Sequence, residues 1–359
     1  MPKFIPGIQL SKMFFKEAVQ PILKSEFLKL KYSAALIGWG SEVLGYDTPQ
    51  SADHHWGPRV LLFLSEVDFK YKSALSKTLS KKLPLTFLGY STNFSKAEPN
   101  GVRRMIYKKS GKVNHMVDIF TIKSFLENRL GINAIKNMTM SDWLVIPQQR
   151  LLMVTRGAVF HDDIGLSNVR NKLKYYPHDV WLYLLASQWA RISDREAFVG
   201  RTGHVGDELG SQILAARMVR ELMRLCFLME KKYFPYAKWF GTGFSHLKSA
   251  RTLSPIFKKV LVSKNWRQRE KHLSAAYSIV AKMHNDLKIT KALPTKTSKY
   301  HGRPYLVIHA DRFAQEIQKK ITDKKLRNLK LIGSVDQFTD SVPINENVGL
   351  SKKLGILYE

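Results

Sequence analysis

The chain has one cysteine, Cys226, in 359 residues, so no intrachain disulfide is possible. No apolar run approaches the ~20 residues needed to cross a bilayer. The N-terminus, MPKFIPGIQL, lacks the long apolar core and small-residue cleavage site of a secretory signal. The expectation is a cytoplasmic protein with no membrane partner. Acidic residues are scarce as well, 29 Asp+Glu against 58 Lys+Arg, a formal net charge of +29. The basic excess sits in the first 140 residues and beyond residue 250, and the middle is milder. Such a surface attracts polyanions: nucleic acids, nucleotides or anionic lipids. A general lysine bias with no specific partner is the alternative, because no arginine-rich arm or aromatic-interleaved basic motif stands out. There is no internal repeat.

What is present is material for a core, since 44% of the residues are hydrophobic. Residues 8–30 carry Leu10, Phe14, Ile22, Leu23 and Phe27 at helical spacing, with Pro21 expected to end one helix and start the next. YSAALIG (32–38), PRVLLFL (58–64) and HMVDIFTI (115–122) read as strands, and AVFHD (158–162) as a fourth. Residues 70–82 read as an exposed amphipathic helix, and 84–113 as a basic, loop-rich stretch with a hairpin. Lys123 to Leu130 reads as a helix capped by Gly131, and 139–157 as a helix capped by Ser141, interrupted at Pro147 and stopped at Gly157. Beyond residue 175 the pattern is helical. In the long helix over 204–232, Leu209, Ile213, Ala216, Met223 and Cys226 fall near one face; Arg217, Arg220 and Arg224 are expected on a solvated face paired with Glu221. YLVIH and ADRFAQEIQKKI then read as a strand and a helix capped by Asp311. The order predicts an α+β chain: a mixed-sheet domain over 1–165, a helical bundle over 166–295 and a small α/β tail over 296–359.

GSEVLGYDTPQSADHHWG, residues 40–57, carries the chemistry. If 32–38 is a strand, Gly40 and Ser41 form the turn that leaves it. Gly40 lets backbone approach an anion, and the Ser41 hydroxyl reaches a phosphate oxygen. If 53–64 starts the next strand, Asp53 and His55 share a face beside that turn. Asp118 is a lone carboxylate inside an apolar strand, costly unless it meets a cation or a donor. Three such groups beside a phosphate-binding turn make a divalent-metal triphosphate site.

Gly40-Ser41, then Asp53-His54-His55, then Asp118 on a later strand, resembles the nucleotidyltransferase superfamily typified by DNA polymerase beta and kanamycin nucleotidyltransferase. TRGAVFHDDIG (155–165) is similar to the strand that closes the sheet in its small-molecule members. YYPHDVWLYLLASQW, VGDELGSQILAARMVRELMRLCFLME, YAKWFGTGFSHL, HADRF and GSVDQFTDS look like a bacterial family known only as a nucleotidyltransferase-like domain of unknown function. The resemblance implies a nucleotidyltransferase domain followed by a helical domain that helps form the substrate pocket. One departure stands out: His55 occupies a position where the superfamily has a carboxylate. Imidazole suits Mn²⁺ or Zn²⁺ better than Mg²⁺.

The resemblance implies transfer of a nucleoside monophosphate from a nucleoside triphosphate, taken as ATP, to a hydroxyl of a small molecule, with Mg²⁺ or Mn²⁺ on Asp53, His55 and Asp118. Gly40, Ser41, Arg59 and Lys70 are the expected phosphate-binding residues. Asp163, with its neighbour Asp162, stands at the end of the closing strand as the candidate base, with a turn or helix cap as the alternative. Two other functions compete: the same transfer to RNA or protein, suggested by the basic ends, and nucleotide or RNA binding with catalysis weakened or lost, suggested by His55.

Overall fold

The computed structural model describes residues 2–99 and 101–359. Where divisions near 165 and 295 were expected, the chain forms two compact units. Unit 1 is Met1–Met138 with Arg150–Lys174, and unit 2 is Thr139–Gln149 with Tyr175–Glu359.

Unit 1 is built on a four-stranded sheet. Its strands are β1 (Tyr32–Leu36), β2 (Arg59–Leu64), β5 (Met116–Thr121) and β6 (Ala158–Asp162); β3 (Thr86–Phe87) and β4 (Tyr90–Ser91) form a short separate pair. The order is β5-β2-β1-β6. β1 runs antiparallel to β2 and β6, and β2 runs parallel to β5. Every residue of β1 and β2 is buried, which is why, apart from Ser33 and Arg59, YSAAL and RVLLFL read as apolar runs rather than alternating ones. On one face, Val60, Leu62, Leu64, Val117 and Ile119 pack with Leu10, Phe14, Val19, Leu75 and Leu79 of the helical residues 7–26 and 72–82. Each such side chain contributes about 1.5–3 kcal/mol by leaving water. On the other face the Phe63 and Phe120 rings meet Phe125 edge-on, at 5.2 and 5.7 Å. Arg59, Leu61 and Asp118 share that face by the two-residue alternation and the pairing of Leu61 with Asp118.

Two local outcomes differ from expectation. Pro21 does not interrupt the first helix: Gly7–Phe14 and Gln20–Glu26 are joined by a π-type turn, Phe15–Val19. Proline lacks an N–H and its ring crowds the carbonyl four residues back, and the wider turn before it accommodates both. The helix expected to start on Ser141 starts instead on Thr139, whose hydroxyl accepts the Asp142 N–H while the Asp142 carboxylate accepts the Thr139 N–H. Gly131 and Gly157 stand where expected, each at positive φ.

Unit 2 packs the helices His178–Ser193, Glu208–Met229 and Trp266–Asp286, with the strand pair Ser298–Tyr300 and Arg303–Val307 followed by the helix Asp311–Gln318. The long helix turns a different face inward than its apolar spacing suggests. Of the expected face Leu209 and Ile213 are 69% and 62% exposed and Cys226 is buried, whereas Met218, Leu222 and Leu225, outside it, are buried. Glu221 and Arg224 are buried too, so they are no solvated face: Glu221 accepts from Gln188 at 2.7 Å and pairs with Arg191 and Arg224. Asp311 does not cap its helix. The buried Glu196 carboxylate holds that turn instead, accepting the N–H groups of Ile308 and Ala310 at 2.7 and 3.1 Å.

Candidate phosphate site at the end of the first strand

β1 ends at Leu36, and the chain turns through Gly38, Trp39 and Gly40 before one helical turn, Ser41–Leu44. Gly38 and Gly40 have φ of 92° and 126°, which a side chain would strain. A Cβ on Gly40 would also run into Glu42 and Arg59. Beneath the turn the Arg59 guanidinium is fixed: its Nε donates to Glu42 Oε1 at 2.8 Å, and Nη2 donates to Glu42 and to the carbonyl of Trp39. Both side chains are almost fully buried. Arg59 therefore shapes the turn from below and is not free for phosphate.

The upper side of the turn is different. Ser41–Leu44 is too short for a useful macrodipole, so what it offers is local donors. Among the described residues the Trp39 and Gly40 amides and the Ser41 hydroxyl donate no hydrogen bond. Asp118, half-buried on β5, makes no hydrogen bond or ion pair there either, although its charge acts on His55, His115 and Arg129.

The remaining expected residues are placed apart. Strand β2 begins at Arg59, not at 53, so Asp53 and His55 lie on a loop and the shared strand face does not form. Gly57-Pro58 is the local reason: Gly57 has φ 133°, and a Cβ there would sit 2.8 Å from the Met105 sulfur. Asp53 is exposed and its Oδ1 meets His54 Nδ1 at 2.9 Å, which holds its carboxyl below the usual range. His55 takes the left-handed conformation at φ 50° and donates its N–H to the Arg103 carbonyl. Burial, then Arg59, His54 and Arg103, push its pKa down, against Asp118. Lys70 lies beyond the other end of β2, about 20 Å along the strand from the turn. Its ammonium sits over the Tyr71 ring.

Asp162 and Asp163 close the far edge of the sheet. The cross-strand line Asp162–Ser33–Phe63–Phe120 puts that edge about 14 Å from β5, three inter-strand spacings. Asp162 is a helix cap: it accepts the N–H groups of Gly165, Leu166 and Ser167 and the Ser33 hydroxyl. Desolvation would raise its pKa, but the bonds from Ser33, Ser167 and Leu166 outweigh it and hold the carboxyl well below the usual range. Asp163 is exposed and pairs with His161 at 2.7 Å. The geometry does not bring it to Asp53 or Asp118.

A divalent ion on Asp53, His55 and Asp118 needs these three to converge. Among the described residues no three of His, Cys, Asp and Glu do so, and the Asp53 carboxylate is turned to His54. The set does not fit a metal ion as arranged.

Arg129 is the residue the sequence reading passed over. It lies in the last turn of the helix Ile122–Leu130, which packs across this face of the sheet. Its guanidinium carbon sits 5.4 Å from the Trp39 ring centre and 5.7 Å from that of Phe125. Its Nε is buried with no partner. Burial pushes its pKa down to about 10, against the pull of Asp118.

A family model described as a domain of unknown function, DUF4037, matches residues 143–240. That stretch lies wholly after the turn, Asp53, Asp118 and Arg129. Among solved structures the chain is similar to the crystal structure of a nucleotidyltransferase-like protein from Exiguobacterium sibiricum 255-15. The two are 11% identical with a TM-score of 0.34, over 77% of this chain and 78% of that one, too low a likeness to place a residue or an activity. No curated protein matches the chain.

No helix among the described residues is long and apolar enough to cross a membrane.

Proposed function

We propose that unit 1 is a nucleotidyltransferase-like domain that holds a nucleoside triphosphate by its phosphates at the turn after β1. The reaction such a site serves is transfer of a nucleoside monophosphate to a hydroxyl of a small molecule, with release of pyrophosphate. The observation that carries the reading is the set of donors left open at that turn: the Trp39 and Gly40 amides and the Ser41 hydroxyl. Amides and a hydroxyl left open together at a strand-to-helix turn present an anion with donors already fixed in place. Phosphate oxygens suit these donors, and Asp118, two strands away on β5, is the carboxylate that the resemblance assigns to the site.

A second reading is binding without transfer, and the Asp53 loop favours it. Asp53 is spent on His54, and His55 stands where the resemblance calls for an acid. The acceptor, the use of ATP and the service of Mg²⁺ or Mn²⁺ are part of the test. The purified chain, Asp53→Ala and His55→Asp are incubated with each labelled triphosphate and either ion, and binding and label transfer to cell extract are both recorded. Transfer that Asp53→Ala abolishes establishes the transferase, and the labelled product names the acceptor class. Binding without transfer, with transfer appearing in His55→Asp, establishes the second reading. No binding of any triphosphate overturns both.

A further inference from the structure

Arginines 59, 129 and 150 all lie around the end of β1, and two of them have visible structural work. Arg59 is locked to Glu42 and the Trp39 carbonyl. Arg150 donates through Nη1 to the Arg129 carbonyl at 3.0 Å. Arg129 alone of the three makes no hydrogen bond or ion pair through its side chain among the described residues. Its flat guanidinium lies against Trp39 and Phe125, which supports the plane and leaves the N–H groups unspent. Gly38 lies directly against the guanidinium: a Cβ there would stand in ordinary contact, 3.6 Å from Arg129 Nε and 3.9 Å from Nη2. A cation–π contact satisfies none of the donors of a guanidinium, and a buried donor left unmade is costly.

We propose that Arg129 binds the phosphate chain of the donor nucleotide, its planar fork taking two phosphate oxygens beside the backbone of Gly38 and Gly40. The proposal rests on the reading of the turn as a nucleotide site and adds its principal cation. It also assigns Trp39 a part: 43% exposed and stacked on Arg129, its ring reports on whatever that guanidinium binds. Asp118 then has a defined electrostatic effect. Without a divalent ion it repels the phosphate that Arg129 attracts.

The test is metal-free titration of inorganic tripolyphosphate and of ATP, followed by tryptophan fluorescence, with the difference between the wild type and Trp39→Phe giving the part that belongs to Trp39. Arg129→Gln is expected to weaken tripolyphosphate binding about tenfold or more, the worth of one charge-assisted hydrogen bond. Arg129→Lys, which keeps the charge and loses the fork, is expected in between. Asp118→Asn is expected to move affinity the other way and tighten metal-free binding. A merely structural arginine would not give opposite signs at these two positions. Circular dichroism and urea midpoints show whether each variant is folded, and Arg129→Lys serves if Arg129→Gln is not. Wild-type binding that Arg129→Gln and Arg129→Lys leave unchanged overturns this inference and spares the nucleotide site. Wild-type protein that binds neither probe at millimolar concentration overturns both.

Discussion

Arg59 and Glu42 are 17 residues apart, and their side chains are 7% and 2% exposed. The geometry makes a strong demand on stability. Arg59→Met leaves the Glu42 carboxylate buried with its charge uncompensated, a loss of about 3–5 kcal/mol. Glu42→Leu leaves the guanidinium in the same position and costs a similar amount. The double variant removes both charges. What remains is the Trp39 carbonyl without its donor, about 1 kcal/mol, plus the packing change of the new side chains. The two singles are therefore strongly non-additive, with a coupling of roughly 3 kcal/mol or more. The assay is urea unfolding of the four proteins, with amide hydrogen exchange on β1 and β2 to read unit 1 directly, because two units need not unfold together. The double variant should be more stable than either single. Arg59→Met costing under about 1 kcal/mol, or a double variant losing as much as the two singles together, would refute the account of the turn as a loop clamped from below by a buried ion pair.

Other consequences are independent of that pair. A Cβ on Gly157, at φ 75°, runs into the Leu36 carbonyl, whereas Gly45, at φ 77°, has open space around it. Gly157→Ala should cost well over the ~1–2 kcal/mol of left-handed strain that Gly45→Ala costs; equal midpoints in urea would contradict the close approach of β6 to β1. Asp162→Ala should lose ~1–2 kcal/mol by uncapping Leu166–Lys172. The Asp162 contribution is present above the ordinary pKa of 3.8 and fades as pH falls through its lowered folded value; a stability difference between wild type and variant that is the same at pH 7 and pH 2 refutes this. In unit 2, burial pushes the pKa of His284 down from 6.5 to about 4. Its ring lies edge-on to Phe313 and Trp189. Below pH 6.5 the unfolded chain takes up a proton that the folded ring refuses, so stability falls between pH 6.5 and 4 by up to ~3 kcal/mol. His284→Leu should remove that part of the slope, and an unchanged slope in the urea midpoint would show that the ring titrates normally.

β1 and β2 were legible because burial on both faces writes itself into sequence as largely apolar runs, and Asp118 was legible because it interrupts the apolar run of β5. The turn at Gly40-Ser41 was legible for the same reason, as the first polar stretch after a buried strand. The loop from 53 to 58 was misread as strand, although Gly57-Pro58 is a local signal against it. Arg129 and the Arg59–Glu42 pair carry no local signal. A last-turn arginine suits any helix end, and only the order β5-β2-β1-β6 and the crossing of Ile122–Leu130 bring it to the turn. The same holds for Asp162 and Asp163, whose distance from Asp118 is set by how many strands intervene. The long helix Glu208–Met229 failed for a different reason: apolar residues lie on more than one side of it, and spacing alone cannot choose which side is buried.

The central claim is that the turn after β1 binds triphosphate, and amide chemical shifts test it most directly. ATP is titrated into uniformly ¹⁵N-labelled, deuterated protein, and the backbone amide and arginine Nε resonances are followed. The account predicts that the largest shifts fall on Gly38 to Ser41 and on the Arg129 Nε, saturating together with a single affinity. Saturable shifts centred elsewhere in the chain, with the Gly38–Ser41 amides and Arg129 unmoved, would contradict it.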